Sequence, residues 1–297
     1  MRRKTIVYCI CSYLSDDCPS VRNLLPLIKD MEIWANAHHA DFKLITKIPD
    51  VIEDMFSSIT TIYKQRRDNE LQIVEKKNKL NEIGLNILKH ADNTAKGKNN
   101  KAPLIHRYKS WVTKFEIIQD FYKSDYERMM YLDCDLFPCI EKREEQLYWR
   151  NFNFNQYDNM WYMKKKYRPT DCYYPVILVP EKYLKKHINH RYLAGTIILT
   201  KNYKHNVAEL FSYNNIYDMW LLDSSFIREE TVINFIVHKN DICEDIMPDK
   251  GPVNDRTIIC PACHRTDTRA HHFPLVHIGG KKSKASFTYE KQWLIKT

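Results

Sequence analysis

A short apolar run close to the N-terminus constrains the fold more than any other feature of the sequence. Residues Thr5–Cys11 have the sequence Thr-Ile-Val-Tyr-Cys-Ile-Cys, without a charged side chain, which is the pattern of a strand buried on both faces. An apolar stripe with helical spacing follows within residues 21–40, and residues 41–46 have a second strand-like pattern. This order of strand, helix and strand predicts a β-α-β unit and therefore an α/β fold.

The rest of the chain continues this alternation of helices and strands. Further helices are predicted at 64–92, 111–122, 203–212 and 226–238, and further strands at 128–133, 176–179 and 196–199. Pro138 is expected to stop the strand at 128–133, because proline cannot donate a ladder hydrogen bond. No linker rich in Pro or Ser divides the sequence, so we expect one domain over residues 1–297, in which the charged helical stretch 64–103 is an insertion.

Glycine is unusually scarce, and this narrows the kinds of nucleotide site that the chain can contain. Only 6 of the 297 residues are glycine, whereas an average protein has about 7%. Neither GxGxxG nor GxxxxGK[ST] occurs. The sequence therefore argues against a dinucleotide-binding Rossmann loop and against a P-loop.

The net charge of +9 suggests an anionic partner, but its distribution argues against nucleic acid. Between Lys64 and Lys109 there are 12 basic and 5 acidic residues, so most of the excess charge lies on one helical stretch. Such a stretch is typical of a solvated surface rather than of a surface that reads bases. We therefore expect no nucleic-acid partner, while peripheral membrane association through basic patches stays open.

The cysteines and the hydropathy pattern bear on the cellular compartment. Nine cysteines are irregularly spaced, no signal peptide is evident, and no apolar window approaches the length of a membrane span. A cytoplasmic location with reduced thiols is expected. Cys260 and Cys263 are expected to be reduced thiols or a disulfide; a structural zinc site is the alternative, and it would need two more ligands.

The strongest chemical signal is a pair of carboxylates at the end of a strand. Residues 128–133 are an apolar strand that ends at Asp133, and Asp135 follows after one residue. Open α/β sheets bind ligands at the carboxyl ends of their strands, and a divalent cation relieves the repulsion between two neighbouring acids. Because oxygen ligands favour Mg2+ or Mn2+, we predict a site for one of these metals at Asp133 and Asp135.

Two enzyme families have a strand that ends in such an acidic pair. Haloacid-dehalogenase-like phosphatases place it on the first strand, which fits badly with a pair 133 residues into the chain that continues Leu-Phe-Pro. Residues 104–140 instead resemble glycosyltransferases of the GT-A fold, in which a helix with a basic residue leads into a strand ending YLDxD. The matching residues are Lys109-Ser-Trp-Val-Thr-Lys114 and Tyr131-Leu-Asp-Cys-Asp135.

Three later segments are similar to the glycogenin-like and galactosyltransferase group of that fold. Tyr192–Leu199 resembles its Asn-Ala-Gly motif with the following strand, although Leu193 stands where Asn is usual. Glu229–Asn234 resembles its D-Q-x-x-hydrophobic-N segment. Val276–Lys282 resembles its late H-x-x-G-x-x-K motif, with Ser283 at the position of the final Lys.

The resemblance implies a mixed, mostly parallel GT-A sheet flanked by helices, with a nucleotide-binding half at 1–140 and an acceptor-binding half at 141–297. It also implies that His277 joins Asp133 and Asp135 as a metal ligand. The donor is expected to be a nucleotide diphosphate sugar, most simply a UDP-sugar, and the acceptor a hydroxyl group of a glycan, lipid or protein. Donor contacts are expected from Tyr8, Cys9, Ile10, Lys114, Asp133, Gly195, Gly280, Lys281 and Lys282.

Transfer of a sugar requires charge stabilisation on the leaving diphosphate and, in an inverting enzyme, a base for the acceptor hydroxyl. Lysines such as Lys281 and Lys282 would share the diphosphate charge. Asp223, Glu229 and Glu230 are the candidate catalytic carboxylates, although acids at a helix start also stabilise the helix dipole. A retaining outcome, which needs no such base, is favoured over an inverting one.

Two other functions stay open at this stage. A sugar-phosphate nucleotidyltransferase shares the acidic strand end, but it needs a Gly-rich loop with Arg and Lys after the first strand, and residues 12–22 contain one Arg and no Gly. A non-enzymatic protein that binds nucleic acid through residues 64–109 is the second alternative.

Overall fold

A computed structural model describes thirteen stretches of the chain, and all structural statements below refer to them. They are residues 4–12, 24–70, 104–134, 136–138, 140–143, 146–149, 152, 154, 160–164, 191–201, 207–222, 229–240 and 275–277.

We number the described elements in chain order. The strands are β1 (Thr5–Ile10), β2 (Ala40–Ile45), β3 (Arg128–Asp133), β4 (Leu136–Pro138), β5 (Ile140–Arg143), β6 (Gln146–Trp149), β7 (Met160–Lys164), β8 (Arg191–Thr200) and β9 (Leu275–His277). The helices are α1 (Leu25–Ala37), α2 (Asp50–Glu70), α3 (Leu104–Lys123), α4 (Val207–Leu210), α5 (Tyr213–Leu222) and α6 (Glu229–Asn240).

The predicted α/β architecture is confirmed. Within the described residues, five strands form one mixed sheet in the order β2-β1-β3-β8-β7. Strand β1 runs parallel to β2 and β3 on either side of it, whereas β8 is antiparallel to both β3 and β7. Two further two-stranded antiparallel sheets are formed by β4 with β9 and by β5 with β6.

Burial of the central strands explains their apolar sequences. All six residues of β1 are buried, as are the middle four of β3, because each strand has neighbours on both edges and covered faces. On one face, alternate residues of β1, β3 and β8 join a single apolar core with helices α2, α3, α5 and α6. This face is the one that carries the side chains of the candidate site.

Helix α1 lies on the opposite face of the sheet. The buried residues Leu27, Met31 and Trp34 of this helix follow helical spacing, and α1 contacts both β2 and β4. The Trp34 ring lies 5.4 Å from that of Phe152 and 5.7 Å from that of Phe154, centroid to centroid. Helix α1 is thereby fixed against the chain segment that follows the acidic strand end.

Several predicted boundaries are corrected by the structure. Pro138 does not stop β3, which ends at Asp133 beside the last residue of β1. It is instead the last residue of β4, whose partner is β9. Strand β4 belongs to a two-stranded sheet and is therefore an edge strand, on which proline is tolerated. Strand β8 begins at Arg191, earlier than the predicted 196, and helix α5 was not predicted at all.

The charged stretch after residue 64 is only partly described. Residues 64–70 continue α2, which begins at Asp50, so the helix starts well before the predicted position. Residues 71–103 and the predicted strand at 176–179 lie outside the described residues. The insertion at 64–103 and the division into halves at 1–140 and 141–297 therefore stay predictions.

Among the described helices, none combines the length and the apolar character needed to cross a bilayer.

Candidate functional site

The candidate site lies where β1 and β3 end. Ile10 and Asp133 are partners in the parallel register of these two strands, so the chain leaves the sheet at the same edge after both. In open α/β sheets this carboxyl edge is where ligands bind. Asp133 is partly exposed there, with 32% of its side chain accessible, whereas the four residues before it in β3 are buried.

Two groups hold one oxygen of Asp133. The hydroxyl of Tyr131 donates a hydrogen bond to Asp133 Oδ1 over 2.5 Å, and the Nζ of Lys114 lies 3.4 Å from the same oxygen. Tyr131 can reach because residues two apart on a strand point to the same face. Burial, followed by the negative charge of Asp133, raises the pKa of Tyr131, so this hydroxyl keeps its proton and remains a donor.

Lys114 is a buried ammonium between two carboxylates. Its side chain is only 3% accessible, and its Nζ donates to Oε1 of Glu229 over 3.3 Å. Glu229 is also buried and is the first residue of α6. The Nζ atom lies 5.1 Å from the centre of the Tyr131 ring, so helix α3, strand β3 and helix α6 meet at this one charge.

Gly195 faces Asp133 across the antiparallel pair of β3 and β8. Leu132 is opposite Thr196, which places Gly195 at the next position, opposite Asp133. A Cβ atom at Gly195 would lie 3.1 Å from Asp133 Oδ2. The register of β8 against β7 is irregular at the same place, because Trp161 pairs with Ile197 and Tyr162 pairs with Leu193. Residues 194–196 of β8 therefore have no partner on β7 in this register.

The pairing of β4 with β9 brings the predicted metal-binding segments into one region. Leu136, which directly follows Asp135, is opposite His277. The described residues include the backbone of His277 without its side chain, and Asp135 lies outside them. Assignment of Asp135 and His277 as metal ligands therefore stays a prediction.

The predicted contacts from β1 have a different setting. Tyr8 is buried, and its hydroxyl donates to Asp120 Oδ2 on α3 over 2.8 Å. Burial and then the hydrogen bond to Asp120 raise the pKa of Tyr8 far above its usual range. By strand alternation, Cys9 points to the opposite face, and Ile10 lies at the strand end beside Asp133. Nucleotide contacts from these three residues stay predictions.

The remaining predicted site residues are beyond the described part of the chain. Asp223, Gly280, Lys281 and Lys282 lie outside it, as do Cys260 and Cys263, and only the backbone of Glu230 is described.

Tyr131 is the one site residue to which the sequence analysis gave no role. Its position two residues before Asp133 on a strand was the signal that could have identified it.

The geometry is compatible with an oxygen-liganded divalent cation. Asp133 offers a carboxylate whose Oδ1 is held by the protein, and among the described residues none donates a hydrogen bond to Oδ2. One further carboxylate, Glu229, shares the Lys114 ammonium with Asp133. A hard cation such as Mg2+ or Mn2+ prefers carboxylate oxygens of this kind.

The comparisons with known proteins give few matches. No protein-family model matches the sequence, and no curated protein matches it. One matching solved structure is the crystal structure of a glycosyltransferase involved in the glycosylation of the major capsid of PBCV-1. The two chains are 10% identical, the match covers 95% of this chain and 98% of that chain, and the TM-score is 0.41. At this identity and TM-score the likeness assigns neither residues nor an activity to this chain.

Proposed function

We propose that this chain is a metal-dependent glycosyltransferase that uses a nucleotide diphosphate sugar, most simply a UDP-sugar. The acceptor is a hydroxyl group of a glycan, lipid or protein. One observation carries the proposal: Asp133 lies partly exposed at the carboxyl end of β3 with Oδ1 held by Tyr131, while Oδ2 lies over a glycine. A carboxylate held at this edge of an α/β sheet is suited to binding a metal next to a ligand.

The residues that would hold Mn2+ or Mg2+ are Asp133 and the predicted ligands Asp135 and His277. When bound, the metal supplies Lewis-acid stabilisation of the negative charge on the diphosphate leaving group. Such a site also fits the absence of Gly-rich phosphate loops from the sequence, because carboxylates and a cation replace the cradle of backbone amides.

The other roles in the proposed reaction are assigned to residues of this chain. Gly195 leaves room above Asp133 for a ligand or for the carboxylate itself, since any larger residue would place a Cβ atom close to Oδ2. We assign Lys281 and Lys282 to the diphosphate, where positive charge stabilises the departing group. Asp223 and Glu230 are the proposed carboxylates for the acceptor side. They would orient the acceptor in a retaining enzyme, the outcome that we favour, and one of them would act as the base in an inverting enzyme.

The test is metal-dependent hydrolysis of UDP-sugars by the wild-type protein and by the Asp133→Ala variant. A panel of UDP-sugars is incubated with and without Mn2+, and released UDP is measured. We expect at least one donor to be hydrolysed with Mn2+ and the Asp133→Ala variant to lose about 100-fold or more of this activity. The matched control is Lys109→Met on the same helix as Lys114. Lys109 forms an ion pair with Glu53, away from Asp133, so this variant should keep full activity.

Two results would overturn the proposal. One is unchanged hydrolysis and unchanged Mn2+ binding in the Asp133→Ala variant. The other is strongly salt-dependent RNA or DNA binding that survives this substitution in a protein without metal-dependent hydrolysis, which would favour the basic nucleic-acid-binding alternative.

A further inference from the structure

We propose that Lys114 is a positioning residue that fixes the carboxylate of Asp133, and that Glu229 is the counter-ion that sets where Lys114 lies. This inference rests on the proposed metal site at Asp133. It gives Lys114 and Glu229 roles other than the donor contact and the acid-base function expected from the sequence.

First, the buried ammonium of Lys114 requires negative charge next to it. An ammonium that is 3% accessible loses most of its hydration, and this loss is tolerable only when carboxylates face it. Among the described residues, carboxylates from two different elements face it, Asp133 of β3 and Glu229 of α6. The Lys114 ammonium therefore points inward at Asp133 and Glu229.

The second step is the sharing of this ammonium. The Nζ atom is 3.3 Å from Glu229 Oε1 and 3.4 Å from Asp133 Oδ1. Both separations exceed the distance of about 2.7–2.9 Å that is typical of a tight charge-assisted hydrogen bond. Lys114 thus lies at nearly equal distances from the two acids and holds Asp133 Oδ1 less closely than Tyr131 does. Without Glu229 it would move towards Asp133 and compete with a metal for that carboxylate.

The third step is the orientation of Asp133. Tyr131 and Lys114 both act on Oδ1, and Oδ2 lies over Gly195. Tyr131 and Lys114 together restrict rotation of the carboxylate, so Oδ2 keeps one position and is the oxygen left for a metal. Groups that orient a metal ligand in this way change metal affinity by about 10–100-fold when they are removed.

The experiment measures Mn2+ affinity, with the free ion followed by its electron paramagnetic resonance signal and with no donor present. The main variant is the double substitution Lys114→Met and Glu229→Gln. It removes one positive and one negative charge, so the net charge near the metal is unchanged. A change in Mn2+ affinity then reports a change in the orientation of the Asp133 carboxylate. Tyr131→Phe removes the other hold on Oδ1 without altering any charge. Lys109→Met is the control for a lysine lost elsewhere on α3.

We expect the double variant and Tyr131→Phe to bind Mn2+ about 10–100-fold more weakly than the wild-type protein, with Lys109→Met unchanged. Circular dichroism and the melting temperature Tm show that each variant is folded. If the wild-type protein binds Mn2+ through Asp133 and the folded double variant binds it equally well, this inference is overturned and the proposed function stands. If the wild-type protein binds no Mn2+, the proposed metal site is overturned, and this inference with it.

Discussion

The buried contact between Lys114 and Glu229 makes a quantitative prediction about stability. The perturbation is Lys114→Met, which keeps the length and apolar character of the side chain and removes its charge. The accessible fractions of the two side chains are 3% and 8%, so water does not replace the lost ammonium. Glu229 then loses the cation that faces it at 3.3 Å, and Asp133 loses one at 3.4 Å.

Removal of one partner from a buried ion pair costs about 3–5 kcal/mol. Because the Asp133 side is partly exposed, we expect the lower part of this range. For a domain of this size, 1 kcal/mol corresponds to about 2–4 °C in Tm, so the melting temperature should fall by about 6–12 °C. Glu229→Gln alone should also destabilise, because it leaves the buried Lys114 with a weaker partner.

The assay is urea denaturation of the wild type, the two single variants and the double variant, arranged as a thermodynamic cycle. We expect the double variant to be more stable than the sum of the single losses predicts, with a coupling energy of about 1–3 kcal/mol. Lys109→Met breaks the more accessible ion pair of Lys109 with Glu53 and serves as the comparison. It should change the free energy of unfolding by no more than about 1 kcal/mol. Additive single losses, or a Lys114→Met loss no larger than that of Lys109→Met, would refute the reasoning.

Two further predictions concern Gly195 and Asp120. Gly195→Ala places a Cβ atom 3.1 Å from Asp133 Oδ2, whereas ordinary contacts begin near 3.4 Å, so Mn2+ affinity should fall on the order of tenfold. Tm should stay the same or rise, because alanine is less flexible than glycine in the unfolded chain; unchanged Mn2+ binding would argue against close contact. Burial opposes ionisation of Asp120, but hydrogen bonds from Lys43 and Tyr8 outweigh it and lower its pKa. Ionised Asp120 therefore stabilises the fold above its ordinary pKa of 3.8, and this contribution is lost as the pH falls through the lowered value. Asp120→Asn should cost up to about 1 kcal/mol near neutral pH and progressively less in acid, as measured by urea denaturation across that range; a difference that does not change with pH would contradict the assignment.

Local patterns in the sequence predicted the central elements of the fold well. The apolar runs of β1 and β3 and the helical spacing of α1, α3 and α6 were all visible, because each pattern reflects which faces of its own element are buried. Boundaries were less well predicted. Strand β8 runs through the Gly195 motif from Arg191 to Thr200, because β7 pairs with residues on both sides of the glycine, at Leu193 and at Ile197.

Pro138 shows why some local signals mislead. The sequence predicts that proline ends the preceding strand, and β3 does end before it. The end is set instead by the limit of pairing with β1 at Asp133, while Pro138 belongs to a separate short strand paired with β9. That partner lies more than a hundred residues further along the chain, so no local window contains the information.

The sequence by itself determined that an acidic residue stands at the end of a buried strand, and that a basic residue lies on the helix before it. Both follow from local periodicity and the order of elements. Only the tertiary structure decided which residues lie next to Asp133 and next to Lys114. Lys114 and Glu229 are 115 positions apart, and Gly195 reaches Asp133 only because β8 is antiparallel to β3. Side-chain periodicity records which face of an element is buried, whereas the identity of the neighbour depends on strand order and helix packing, which are properties of the whole fold.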